Sequence, residues 1–246
     1  MAKPSDTRRA ASNLFDIESP MAIELRRIMI RLGKDLDLTE KRSLLVTSAE
    51  QGEGKSLFSL HFSLVLAYHL PNRILLMDTD VRRPVQHNVF EEKLSPGFVD
   101  LLDAGEKDPG AMATLIKQTV RQTPVKNLDF LSAGKAGGHP SRLFGVNNVK
   151  DLVHELHKSY DLIVMDSPPV VPVSDPLHYL NAVDGVLFMV MAGQTPKDVS
   201  KRGVEILRSA GAHILGVVAN NLSEVLPYYY DQKYYGYEKS KKKRRA

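Results

Sequence analysis

The sequence contains no cysteine. That excludes disulfides, thiolate-held zinc and iron–sulfur ligation by this chain alone. It also lacks an apolar run long enough to span a bilayer. The best candidate, Ser59 to Leu70, is short and carries His61 and His69. The N-terminus lacks the basic, apolar and small-residue succession of a secretory signal. Charge of one sign is missing from most of the chain. The formal net charge is +4, but Glu238 to Ala246 holds six Lys or Arg against one Glu, which leaves −1 for everything before it. A near-neutral body gives no electrostatic case for a nucleic-acid groove. What remains is ordinary for a globular protein. The 246 residues are 43% hydrophobic and 25% charged, enough for one large α/β domain with a substantial core.

Three segments follow from the patterning. Residues 1–18 are polar and without steady period, which reads as a flexible arm. Residues 19–226 carry the periodic structure, and residues 227–246 form a Tyr-rich, then basic, tail that reads as flexible. Ser19 before Pro20 is an N-cap with Pro at the first helical position. Ile23, Ile28, Leu32 and Leu36 then predict an amphipathic helix to about Asp37. Beyond it, short apolar runs alternate with helical stretches. The predicted strands are 43–47, 73–77, 128–132, 162–165, 186–191 and 214–219, and the predicted helices include 55–69, 149–159 and 197–210. Alternation of this kind predicts a single doubly wound, mostly parallel sheet flanked by helices, and the loop AEQGEGKS from Ala49 to Ser56 makes it one of P-loop NTPase type. Sites in such sheets sit at the carboxyl ends of the strands.

The first such end is AEQGEGKS, Ala49 to Ser56. Gly52 and Gly54 let the backbone turn tightly and approach phosphate oxygens. Successive N–H groups and the start of the next helix then face the anion. Lys55 reaches β- and γ-phosphates, and the Ser56 hydroxyl takes a Mg²⁺ position. The expected nucleotide-contacting set is Gln51, Gly52, Glu53, Gly54, Lys55, Ser56 and Leu57, with ATP and Mg²⁺ as ligands. The pattern normally opens with Gly, and here Ala49 stands in that place. The second end is ILLMDTDVRRP, Ile74 to Pro84. Asp78 and Asp80, two apart, project toward one side, where they could hold Mg²⁺ or accept a proton. A turn with Asp as a helix cap explains one of them, but two with Arg82 less well. The third is YDLIVMDSPP, where Asp166 ends an apolar strand as a Walker B carboxylate does.

Six of the nine tyrosines lie between Tyr228 and Tyr237: Tyr228, Tyr229, Tyr230, Tyr234, Tyr235 and Tyr237. Their spacing follows neither strand nor helix. They read either as an aromatic packing tail or as phosphoryl acceptors on a tether, each gaining about −1.5 to −2 charges with phosphate. The closing KSKKKRRA has three readings: a solubilising terminus, attraction to an anionic membrane leaflet, or a nucleic-acid arm.

Together the P-loop, the DTDVRRP segment, the YDLIVMDSPP segment and the Tyr cluster resemble the bacterial tyrosine kinases (BY-kinases) of capsule and exopolysaccharide export, from about Met21 to Tyr237. The resemblance implies catalytic roles for Lys55, Asp78 and Asp80, with Asp78 as base for the attacking Tyr. It implies metal support from Ser56, Asp80 and Asp166. Gly134 to Phe144 is similar to the family's GxxPPNPSELL loop, with His139 where Asn is usual. ELRRIMIR is similar to the helix motif ExxRxxR, which docks on the neighbouring subunit. Glu24 and Arg27 match it, while Ile30 replaces the second Arg and Arg31 follows. Asn220 matches a position that contacts adenine in related ATPases. The resemblance implies self-association, in ring form, and a separate membrane-spanning chain-length regulator as partner. The expected location is cytoplasmic, peripheral to the inner face of the membrane. Min- and Par-type partitioning ATPases, nucleotide switches of the same superfamily, carry a signature Lys where this chain has Glu50. Iron–sulfur carrier ATPases need paired Cys, which it lacks.

Overall fold

The computed structural model describes residues 16–135 and 148–222. The tail tyrosines, the basic terminus, residues 1–15 of the expected arm and residues 136–147, including His139, lie outside them. Helix α1 spans Pro20–Asp35. Ser19 caps it: its hydroxyl accepts the Ala22 N–H at 3.2 Å, with Pro20 in the first turn. The expected extension to Asp37 stops two residues short, where Leu36 turns extended. Then follow β1 (Arg42–Ser48), α2 (Lys55–His69), β2 (Ile74–Asp78) and the short α3 (Gln86–Val89). Next come α4 (Phe98–Lys107), α5 (Met112–Thr119), β3 (Arg121–Gln122) and β4 (Leu128–Leu131). The series closes with α6 (Asn148–Leu156), β5 (Leu162–Asp166), α7 (Asp175–Tyr179), β6 (Gly185–Met191), α8 (Lys197–Ser209) and β7 (Ile214–Asn220).

The strands form one seven-stranded sheet in the order β3-β4-β2-β5-β1-β6-β7. All neighbours are parallel except the β3–β4 pair, a two-residue antiparallel edge that the sequence pattern did not predict. All six predicted strands are present.

Consecutive apolar residues on the central strands feed two different cores, because strand side chains alternate between faces. Leu45, Met77, Ile163, Met165 and Phe188 join the cluster containing Phe98, Leu152 and Leu207 from α4, α6 and α8. Leu44, Val46, Leu76, Val164 and Leu187 join the cluster containing Leu25 and Leu32 of α1 and Phe62 and Leu66 of α2. Each fully buried side chain of this kind contributes roughly 1.5–3 kcal/mol. A sheet covered on both faces leaves only its strand ends for polar chemistry. The carboxyl ends of β1, β2, β5, β6 and β7 therefore gather the P-loop, Asp78, Asp166, Met191 and Asn220 on one rim.

Candidate active site

The loop from Ala49 to Gly54 joins β1 to α2, the strand–turn–helix setting a phosphate cradle needs. Gly52 and Gly54 both take left-handed backbone angles, φ +85° and +89°. At Gly54 a Cβ would stand 2.2 Å from the Asn220 Nδ2, so a side chain here would push the Asn220 amide aside as well as strain the left-handed backbone. Ala49 is not among the residues with positive φ, which explains why Ala serves where Gly is usual. No side chain caps the start of α2. Its first-turn N–H groups are thus offered to an anion.

Lys55 opens that helix and is buried. Its ammonium donates to Ser48 Oγ at 3.0 Å and to the Glu50 carbonyl at 3.3 Å. These are neutral acceptors that phosphate oxygens can replace. Burial lowers the Lys55 pKa, while Asp166, Asp80 and Glu53 pull it back up.

Of the nucleotide set, Glu53 has its side chain committed elsewhere. The Glu53 carboxylate accepts the Glu50 N–H at 2.6 Å, the Thr195 hydroxyl at 2.5 Å and the Met191 N–H at 3.3 Å. It fastens the loop to the end of β6, leaving the Glu53 backbone for a ligand. Leu57 is 52% exposed. Asn220 donates to the Glu53 carbonyl at 3.2 Å, so the end of β7 closes against the P-loop.

Asp78 and Asp166 end adjacent parallel strands in register and are both fully buried. Strands in a sheet lie about 4.8 Å apart, so the two carboxylates repel at close range. Burial first, then Asp166, pushes Asp78 well above the ordinary carboxylate range. Backbone N–H groups of Gln86 and Asp80 oppose the shift. Burial raises Asp166 to about 6, against hydrogen bonds from Ser56 and Gln86. Asp78 Oδ2 accepts the N–H groups of Val85 and Gln86, each at 3.2 Å, and Oδ1 accepts that of Asp80 at 3.1 Å. Asp80, half-buried, caps the following turn by accepting the N–H of Arg82 at 3.2 Å and of Arg83 at 3.0 Å.

The donor set of Ser56, Asp166 and Asp80 consists of oxygens alone. Among the described residues no group of three or more His, Cys, Asp or Glu could hold a metal by itself. The oxygen donors of the expected set suit Mg²⁺, which takes one or two carboxylates and fills its shell with water and phosphate oxygens. Lys55, Ser56, Asp78, Asp80, Asp166 and Asn220 thus all lie on the rim of the sheet. Glu24, Arg27 and Arg31 do not. They sit on α1, where Arg27 pairs with Glu24 at 2.6 Å and Arg31 is exposed.

Two rim residues were not anticipated. Gln86 donates from Nε2 to the Ser56 carbonyl at 2.8 Å and to Asp166 Oδ2 at 2.9 Å. Asp175, fully buried, receives Arg82 in a bidentate pair at 2.6 and 2.9 Å. The Ser-Asp-Pro run at 174–176 signals a helix start, but nothing local connects it to Arg82.

No family model matches the chain. The putative tyrosine-protein kinase CapB of Staphylococcus aureus is 31% identical over 199 residues, 80% of this chain and 82% of CapB. The tyrosine-protein kinase YwqD of Bacillus subtilis strain 168 is 28% identical over 181 residues, 74% of this chain and 73% of YwqD. Among solved structures, the chimerical protein CapA2B2 superposes with a TM-score of 0.70 at 26% identity, covering 82% of this chain and 84% of that one. The septum site-determining protein MinD of Pyrococcus horikoshii OT3 shares the fold alone, at TM-score 0.60 and 18% identity over 75% of this chain and 72% of its own. With a P-loop, paired strand-end carboxylates and a relative of this identity across four-fifths of its length, the chain belongs to the bacterial tyrosine kinases (BY-kinases).

Proposed function

We propose that the chain is a protein-tyrosine kinase that uses ATP and Mg²⁺ and phosphorylates its own C-terminal tyrosines, Tyr228, Tyr229, Tyr230, Tyr234, Tyr235 and Tyr237. In this reading it regulates capsule or exopolysaccharide synthesis and export. The observation that carries the reading is the convergence of buried Lys55, Asp78 and Asp166 with half-buried Ser56 on one rim of the sheet. The domain reading follows: residues 19–226 form the kinase domain, residues 1–18 an arm and residues 227–246 the acceptor tail.

The phosphoryl-transfer transition state is loose, so positioning and charge supply most of the catalysis. The phenol oxygen forms a bond to the γ-phosphorus. The bond from that phosphorus to the bridging oxygen breaks, and ADP leaves. The phenolic proton passes to Asp78, whose raised pKa suits a proton acceptor better than an ordinary carboxylate does. Lys55 and the N–H groups at the start of α2 hold the phosphates, and Asn220 stands beside the P-loop, where an adenine would lie. Ser56, Asp80 and Asp166 would hold Mg²⁺, which when bound would supply positive charge to offset that of the phosphates.

Among the described residues no helix is long and apolar enough to cross a membrane. A membrane-spanning chain-length regulator fits as the partner, with the chain at the inner face of the membrane and its basic segment near anionic lipid. Glu24, Arg27 and Arg31 are the candidate contacts between copies. Incubation with γ-labelled ATP and Mg²⁺, in the presence of the regulator's cytoplasmic segment, tests the reading. Label on tyrosine is the expected result, and ATP hydrolysis without any labelled tyrosine would sink it. The latter result would favour a Min- or Par-type switch, against which Glu50 stands at the signature-Lys position.

A further inference from the structure

Gln86 has no part in the roles assigned above, yet it touches three parts of the rim. It is 1% exposed and opens α3, a helix of only four residues. Its Nε2 donates to the Ser56 carbonyl in the first turn of α2 and to Asp166 Oδ2 at the end of β5. Its backbone N–H donates to Asp78 Oδ2 at the end of β2. One residue thus gives a hydrogen bond to each of the two repelling carboxylates and to the helix that carries Lys55 and Ser56.

A carboxamide suits this place. A second cation here would compete with Lys55 and with a metal for Asp166. A neutral apolar side chain would take the Gln86 donor away from buried Asp166 Oδ2, while the Ser56 carbonyl would keep its helical N–H partner. The two N–H groups of an amide satisfy both acceptors and leave the net charge unchanged. They also fix the carboxylate's rotation. With Oδ2 tied to Gln86, Oδ1 is turned toward α2, where the Ser59 hydroxyl approaches it at 3.5 Å and Ser56 also hydrogen-bonds the carboxylate.

We propose that Gln86 is a positioning residue for Mg²⁺: by holding Asp166 Oδ2 it fixes the carboxylate's rotation, leaves Oδ1 facing α2, the helix that carries Ser56, and so sets the metal affinity of the nucleotide complex. The proposal rests on the ATP–Mg²⁺ reading of the site. Gln86 itself meets neither nucleotide nor acceptor. Partners that orient a metal ligand in this way govern affinity by about 10–100-fold in metal sites generally.

The test uses the full chain with Gln86→Met, which keeps the side-chain volume and removes both donors. A second variant, Gln86→Glu, keeps the shape and turns an acceptor toward two acceptors. ADP is titrated calorimetrically with and without Mg²⁺, and the tightening that Mg²⁺ brings is the readout. A merely structural role would not move that ratio. In both variants the Mg²⁺-free affinity is expected to stay within about twofold of wild type, while the tightening by Mg²⁺ shrinks about tenfold. Equal loss with and without Mg²⁺ would overturn the proposal, as would an unchanged ratio. If circular dichroism shows both variants unfolded, Gln86 is a core residue and the proposal also fails. A wild type that shows no tightening by Mg²⁺ would remove the site reading itself. Unchanged variants of a wild type that does tighten remove only the role of Gln86.

Discussion

Asp166 is a buried carboxylate facing another carboxylate one strand away, an arrangement that costs stability and is justified only by what it binds. Burial raises its pKa to about 6 and pushes that of Asp78 well above the ordinary carboxylate range, so the folded protein resists holding charge on both. Asp166→Asn removes one charge and keeps an oxygen that can accept from Gln86. The ligand-free variant is expected to melt roughly 2–6 °C higher than wild type at pH 7.5, given about 2–4 °C per kcal/mol for a chain of this size. The same variant should lose the tightening of ADP by Mg²⁺. Thermal melts and calorimetry check the two halves, and a lower melting temperature would contradict the like-charge account. At this scale the sequence was legible wherever a polar residue interrupts an apolar run, as Asp78, Asp166 and the P-loop all do. Gln86 and Asp175 were not legible. Their partners Asp166 and Arg82 stand 80 and 93 residues away, and no local pattern announces such a bond.

Between elements, single side chains act as tethers. Arg82, in the turn after β2, grips Asp175 at the start of α7, and Asp175 is fully buried while the Arg82 side chain is 39% exposed. The two partners are therefore unequal. Arg82→Ala strands a buried carboxylate and is expected to cost about 2–3 kcal/mol in urea denaturation. Asp175→Asn leaves an arginine that water can reach and should cost about 1 kcal/mol. The reverse order would refute the argument. At the opposite ends of the strands, His157 after α6 receives the Ser43 hydroxyl on Nε2 at 2.7 Å and faces the Tyr160 carbonyl with Nδ1 at 3.1 Å. Burial lowers the His157 pKa below 6.5. Between that lowered value and 6.5 the unfolded chain binds the proton and the folded chain does not, so stability falls as pH drops through this window. In melting temperatures plotted from pH 7.5 to 5.5, wild type should lose ground against His157→Gln as pH drops, on top of the opposite slope that the raised Asp78 and Asp166 add to both. Some slope should remain, since burial also lowers His61 and His69. An unchanged slope would exclude His157 as its source. The strands and long helices were legible because apolar period and length carry them. β3, with two residues, and α3, with four, are shorter than any period can mark.

Across the whole molecule, alternating runs were enough to predict a mostly parallel, doubly wound sheet, since strands buried on both faces must be apolar at consecutive positions. The order β3-β4-β2-β5-β1-β6-β7 was not readable. Nothing in one strand's composition names its neighbour, and it is that order which sets Asp78 beside Asp166. The rim has the parts of a phosphoryl-transfer site, and its acceptor is the central claim. Mass-spectrometric phosphosite mapping after incubation with ATP, Mg²⁺ and the regulator's cytoplasmic segment tests it most directly. The account predicts phosphotyrosine within residues 228–237 of the wild type and none in Lys55→Met. ADP release with every one of those tyrosines unmodified would contradict it.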